Sequence, residues 1–220
     1  MVIGILGLGS RSTLFYLEEL NKKYHKERGG YHTFPCMVYN VDFHKINSHL
    51  PNQFETLLPE LEQHLNACFK FDIDTCIIPN ITLHETYDLG NFDYPIIHPI
   101  SLALSALKHH KAQKVTIFGS KYTMESVYVK SKLEAMGVAV NAPALNDINT
   151  LDSLRQSLYK AEASESHLKL FKVLLERYCK TSTVLIACTE LSIINSKLRS
   201  SARVLDLAQL QIENALQQSF

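Results

Sequence analysis

Two short segments carry the residues best suited to chemistry. Cys76-Ile-Ile-Pro79-Asn80-Ile-Thr82-Leu-His84 and Val184-Leu-Ile-Ala-Cys188-Thr189-Glu190-Leu each read as an apolar strand breaking into a polar turn. The second brings a thiol to its turn, and the first brings Asn80 to the equivalent place. A cysteine at a strand-to-helix turn lies among backbone N–H dipoles that favour the thiolate, so Cys188 is expected to serve as acid, base or nucleophile. The competing reading is a buried structural thiol, because free cysteine is among the most buried residue types. Glu190 reads either as a charge that satisfies a helix N-terminus or as a ligand-site residue. His84 reads as a proton relay or as a capping or surface residue. Cys36, Cys68, Cys76 and Cys179 fall inside expected strands or helices and are read as core.

Elements that would position these turns follow from the hydrophobic pattern. Strands are expected at Val2–Leu6, Cys36–Asp42, Thr75–Ile78, Val115–Phe118, Val138–Val140, Thr183–Ala187 and Arg203–Leu205. Their apolar residues run consecutively, as in strands covered on both faces of a parallel sheet. Helices are expected between them, at Thr13–Lys26, Gln53–Phe69, Ser101–His110, Met124–Met136, Ser164–Tyr178 and Ala208–Gln218. Leu57, Leu58, Leu61 and Leu65 give the second of these an apolar stripe. Alternating strands and helices imply an α/β fold with right-handed crossovers.

The pattern also repeats. Val2-Ile-Gly-Ile-Leu-Gly7-Leu-Gly9-Ser-Arg11-Ser-Thr13 resembles Val115-Thr-Ile-Phe-Gly119-Ser-Lys-Tyr-Thr123: strand, glycine, then a polar turn ending in Thr. Gly7 and Gly119 are 112 positions apart, and Asn80 and Cys188 are 108 apart. The nearly common offset implies two duplicated lobes, assigned as 1–100 plus 206–220 and 101–205, with the last segment returning to the first lobe. Ligands of open α/β sheets bind beyond the carboxyl ends of the strands, where helix N-termini present N–H groups. A cleft flanked by four such turns, offering Thr13, Thr82, Thr123 and Thr189, would suit a small carboxylate.

Composition narrows the partners. Lys+Arg and Asp+Glu balance at 22 each without a basic tract, so neither nucleic acid nor an anionic membrane is the expected partner. Five irregularly spaced cysteines fit a reduced, cytoplasmic protein better than a disulfide scaffold. No CxxC is present and the histidines lack ligand spacing, so no metal site is expected. Gly7-Leu-Gly9 is followed by Ser12 where a dinucleotide fingerprint needs glycine, so Asp42 is only a weak ribose-binding candidate. No apolar run is long enough to span a bilayer.

Taken in order, the motifs resemble the aspartate/glutamate racemase superfamily, most closely its aspartate racemase branch. The opening turn Gly7-Leu-Gly9-Ser-Arg11-Ser-Thr13 resembles the family's Gly-Gly-x-Gly-Pro-x-Ala-Thr turn, and Val38–Phe43 its second strand. Gly119-Ser-Lys-Tyr-Thr123-Met-Glu-Ser126 resembles its Gly-Thr-x-x-Thr-Met-x-Ser run. Cys188-Thr189-Glu190 matches Gly-Cys-Thr-Glu, and Arg203-Val-Leu-Asp206 the closing Pro-x-x-Asp strand.

The resemblance implies two pseudo-symmetric α/β lobes with the active site in the cleft between them, often in a homodimer. It also implies cofactor-independent racemisation of a small amino acid by two cysteines on opposite faces of the substrate. Cys188 matches the second cysteine. The first motif, Pro-Cys-Asn-Thr-x-His, stands here as Pro79-Asn80-Ile81-Thr82-Leu83-His84, with an amide that cannot exchange protons as a thiol does. The expected site therefore comprises Cys188 and Asn80, with Gly9, Arg11, Thr13, Thr82, Thr123, Thr189 and Glu190 binding substrate. His84 and Lys45 are expected in support. No cofactor is implied. The alternatives are a one-cysteine decarboxylase or isomerase of a small carboxylic acid, and a carboxylate binder without turnover.

Overall fold

The structure, a computed structural model, describes residues 1–198 and 203–220. It divides into two compact units: Met1–His98 with Gln211–Phe220, and Pro99–Leu210.

In the first unit, β1 (Ile3–Gly7) is buried at every position and leads into α1 (Ser10–Arg28). The edge strand β2 (Cys36–Asn40) is followed by the short α2 (Phe43–Asn47), whose first turn is capped by the Asp42 carboxylate accepting from His44 N at 3.1 Å. Asp42 thus caps α2. A turn of 3₁₀ helix precedes α3 (Leu58–Phe69), which packs its Leu61–Leu65–Cys68 stripe on β1. Then come β3 (Thr75–Ile77) and α4 (Leu83–Gly90).

The sheet is parallel in the order β2-β1-β3. An isolated parallel bridge from Cys76 to Ile96 extends it beyond β3, with Cys76 N bonded to Pro95 O and Ile97 N to Cys76 O. Coverage of both faces holds for β1 and β3 but not for β2. As an edge strand, β2 leaves Met37 38% and Val38 37% exposed.

The second unit opens with α5 (Pro99–His109) and β4 (Lys114–Phe118). The single helix expected over Met124–Met136 is two, α6 (Lys121–Glu125) and α7 (Val127–Glu134). They are separated by Ser126, whose backbone is extended at φ −70° and ψ 155°. After β5 (Ala139–Asn141) comes α8 (Leu145–Lys160), a helix absent from the expected set. Its Asn, Asp, Thr and Ser residues lower helix propensity. Ile148, Leu151, Leu154 and Leu158 nevertheless recur at helical spacing and are all buried.

The chain continues through α9 (Glu165–Tyr178), β6 (Thr183–Ile186), α10 (Thr189–Asn195), β7 (Val204–Asp206) and α11 (Leu207–Ser219). This sheet is also parallel, in the order β5-β4-β6-β7. The two orders correspond strand for strand, with the bridge at Ile96 standing where β7 stands. Helix α11 begins in the second unit and ends in the first. There Gln211 accepts from Tyr16 Oη and donates to Ile97 O, both at 2.6 Å and fully buried. The ring of Phe220 stacks on Tyr24.

A glycine ends β1 and another follows β4 directly, for a steric reason. A Cβ on Gly7 would stand 3.1 Å from Thr13 Cγ2 and 3.3 Å from the Asn40 backbone. One on Gly119 would stand 2.9 Å from Thr123 Cβ and 3.3 Å from Ala187 O. At both positions the threonine of the following turn closes onto the strand end. Replacing Gly119 by Ala should therefore destabilise the protein by about 1–3 kcal/mol, the usual cost of an overpacked core site. Urea unfolding of Gly119→Ala against wild type checks this.

Candidate functional site

In the first unit the strand-end turns hold Gly9–Thr13 and Asn80–His84. Gly9 precedes α1 in an extended conformation. Thr13 is buried, and its Oγ1 accepts from Leu8 N at 3.1 Å and donates to Gly9 O at 3.0 Å. That hydroxyl braces its own turn. Arg11 lies half-buried in the first turn of α1, and Lys45 is exposed on α2.

Asn80 has two roles in one side chain. Its Oδ1 accepts from Leu83 N at 2.9 Å and caps α4, although Thr82 occupies the formal cap position. With the oxygen so engaged, the amide N–H groups have no protein acceptor among the described residues. Asn80 therefore offers donors to a ligand and no base.

Beneath it, His84 is fully buried. Its Nδ1 lies 2.9 Å from Asn80 O, and a carbonyl can only accept, so Nδ1 carries the hydrogen. Nε2 is buried without a partner among the described residues. Burial first, then the neighbouring His98, pushes the His84 pKa down to about 3, so the ring is neutral. His98 meets its edge at 5.0 Å between centroids, and His98 Nε2 lies 3.2 Å from Asp88 Oδ1. His84 is thus a buried brace for the Asn80 turn and not a surface residue.

In the second unit the corresponding turns hold Ser120–Thr123 and Cys188–Glu190. Ser120 caps α6: its Oγ accepts from Thr123 N at 3.1 Å and lies 2.9 Å from Thr123 Oγ1. Thr123 and Thr189 are both buried. Cys188 precedes α10 in an extended conformation at φ −156° and is 8% exposed.

Its thiol donates to Glu190 Oε2 at 3.0 Å. Burial, the charge of Glu190 and this hydrogen bond together hold the thiol well above its usual pKa. The backbone N–H of Leu191 and the positive charge of Arg155 pull the other way and do not prevail. The expectation that helix dipoles would favour the thiolate is corrected here. Desolvation and an adjacent carboxylate outweigh one turn of N–H groups. Glu190 is more than a helix-terminal charge; it is the hydrogen-bond acceptor of the thiol.

The remaining cysteines are free. Cys68 and Cys76 are buried in the core of the first unit, where the Cys76 thiol donates to Ile77 O at 3.4 Å, whereas Cys36 and Cys179 are half-buried rather than core residues.

The layer below Cys188 mirrors that below Asn80. Ser192, 108 positions after His84, lies 3.2 Å from Cys188 O, and Asp206, 108 after His98, lies 2.6 Å from Ser192 Oγ. Asp206 also accepts from Asn195 Nδ2 and from Ala208 N at the start of α11. Burial raises its carboxyl to about 6 against these hydrogen bonds. Asp206, Ser192, His98 and Asp88 were not among the expected site residues; the repeat offset was the signal that could have found the first three. Among the described residues no group of three or more His, Cys, Asp or Glu side chains could hold a metal ion, and no helix is long and apolar enough to cross a membrane.

Two parallel α/β units of matching strand order, with a thiol and an amide at equivalent strand-end turns, define a duplicated α/β fold. Residues 5–215 match the family model described as Asp/Glu/hydantoin racemase, and the chain belongs to that family. The fold is shared with solved structures of low identity. An aspartate racemase homologue from Pyrococcus horikoshii OT3 is 18% identical, with a TM-score of 0.79 over 99% of this chain and 98% of that one. The Picrophilus torridus aspartate racemase is 17% identical, with a TM-score of 0.78 over 99% and 94%. A glutamate racemase from Aquifex pyrophilus is 18% identical, with a TM-score of 0.56 over 97% and 82%.

Two pH effects of opposite sign follow. Asp206 has a raised folded pKa, so its contribution is fully present below its unfolded value of 3.8 and is lost as pH rises through about 6. His84 has a depressed folded pKa, so its contribution is present above 6.5 and is lost as pH falls toward about 3. In urea unfolding across pH, Asp206→Asn should gain on wild type as pH rises through that first window, and His84→Gln should gain as pH falls through the second. Separately, Glu190→Gln should lower the Cys188 pKa. Ultraviolet titration of the thiolate, in protein carrying Cys188 as its sole cysteine, measures this.

Proposed function

We propose that this protein is a racemase-like isomerase that moves the α-proton of a small acidic amino acid without a cofactor, with Cys188 as its acid/base. Membership of the racemase family supports an isomerase-type enzyme, and the observation that carries the finer reading is the Cys188 Sγ–Glu190 Oε2 hydrogen bond. Transfer of the thiol proton to Glu190 produces a thiolate in a buried setting. That thiolate takes the α-proton, leaving a carbanion, and returns a proton to the same carbon. Glu190 is thereby a proton partner rather than a spectator.

Asn80 presents N–H donors where the motif it resembles has the family's first cysteine, so in this reading it holds substrate and supplies no proton. With a single proton carrier, exchange with retention should outrun inversion. Thr82 and Thr189 remain proposed substrate contacts with Gly9 and Arg11, whereas Thr13 and Thr123 shape their turns. Five free cysteines accord with a reducing, cytoplasmic setting, and the family resemblance favours a homodimer.

One observation favours a second reading. The resting thiol is held protonated, which suits protonation of a carbanion from one face, as in decarboxylation of a small dicarboxylic acid.

Proton NMR in deuterated buffer with L- and D-aspartate, glutamate and alanine tests the proposal. Wild type should erase the α-proton signal of one acidic amino acid faster than its optical rotation decays. Cys188→Ala should slow that exchange by about 10²-fold or more. Absence of exchange from every amino acid would sink the racemase reading, and Cys188-dependent CO₂ release from a dicarboxylate would install the second.

A further inference from the structure

Helix α8, absent from the expected set, packs against both α6 and α10, the helices that begin at the Ser120 and Cys188 turns. Leu151, Leu154 and Leu158 hold it in the same core cluster as Cys188 and Leu191. On this helix Arg155 is 28% exposed at its side chain, and its Nε donates to Asp152 Oδ1 at 3.0 Å. The same Asp152 oxygen accepts from Lys121 N at 3.0 Å, at the start of α6, and Gln156 Nε2 binds the other carboxylate oxygen at 2.7 Å. Burial alone would push the Asp152 carboxyl up. The Lys121 N–H, the Arg155 charge and the Gln156 amide outweigh it and keep the group ionised.

Arg155 is therefore fixed through Nε, and its two Nη groups have no hydrogen-bond partner among the described residues. A guanidinium pinned on one edge with its outer fork open is preorganised for a planar carboxylate. Asp152 ties this fork to the first turn of α6, and α8 also packs on α10, so the fork belongs to the same half-site as Cys188, the thiol that would address the α-carbon. The carboxylate closest to that carbon is the one attached directly to it.

We propose that Arg155 binds the α-carboxylate of the substrate, with Asp152 as its positioning residue. Removal of the α-proton drives negative charge into that carboxylate, so the same contact strengthens as the carbanion forms. The inference rests on the racemase reading for the identity of the substrate, but binding tests it without turnover.

The probes are L-aspartate, L-asparagine and the α-amide of L-aspartate, titrated by calorimetry into wild type, Arg155→Gln and Arg155→Lys, each first shown to unfold cooperatively. Arg155→Gln should raise the Kd of aspartate and asparagine alike by about tenfold to a hundredfold and leave the α-amide unchanged. Arg155→Lys, which keeps the charge and loses the fork, should fall between. Loss confined to aspartate would assign Arg155 to the distal carboxylate and overturn the proposal, as would unchanged affinities or no binding to wild type. Arg155-dependent binding without α-proton exchange would uphold it while the racemase reading fell. Cys188-dependent exchange indifferent to Arg155→Gln would do the reverse.

Discussion

The rung that closes the central ladder of the second unit is the bond from Ala187 N to Phe118 O, 2.7 Å long. It forms where β4 and β6 leave the sheet together, and the missing side chain at Gly119 permits the backbones to approach there. Cys188 follows immediately and precedes α10. Parallel pairing makes every strand end at the same edge, so the chemistry-bearing turns fall there too. A shift of that rung would turn the thiol away from Glu190 and its carbonyl away from Ser192.

A second layer then separates the two halves chemically. Residues at equivalent positions hold the carbonyls of Asn80 and Cys188, but with different groups. The first unit uses two histidines, one fully buried and neutral. The second uses a serine and a buried carboxyl whose pKa burial raises to about 6. A neutral imidazole suits a turn that only has to offer amide donors. A polar carboxyl network suits one that must hold a thiol next to a second carboxylate.

The electrostatics around Cys188 follow from competing magnitudes. One turn of helix N–H groups contributes a favourable dipole, but burial and a carboxylate at 3.0 Å oppose it. The outcome is a protonated thiol hydrogen-bonded to the Glu190 carboxylate. In the proposal, Arg155 supplies the positive charge that would make a thiolate and a carbanion tolerable. It does so from a helix whose charged pair is tied back to the first turn of α6.

Much of this was legible in the sequence, because periodicity and spacing are local properties. The seven strands, the parallel α/β class, the repeat offset and the positions of Asn80, Cys188 and Glu190 all come from short runs of residues. The resemblance to the racemase family rested on the same runs, and the family assignment agrees with it. What only the tertiary structure decided depends on groups distant along the chain. Desolvation sets whether Cys188 is thiol or thiolate. Edge position exposes Met37 and Val38 despite their apolar character. The hydroxyls of Thr13 and Thr123 turn inward to brace their own turns, and Arg155 reaches the Cys188 half-site only through the packing of α8 between α6 and α10. Burial and pairing are properties of neighbours in space, and a one-dimensional pattern contains them only where the neighbours are also close in sequence.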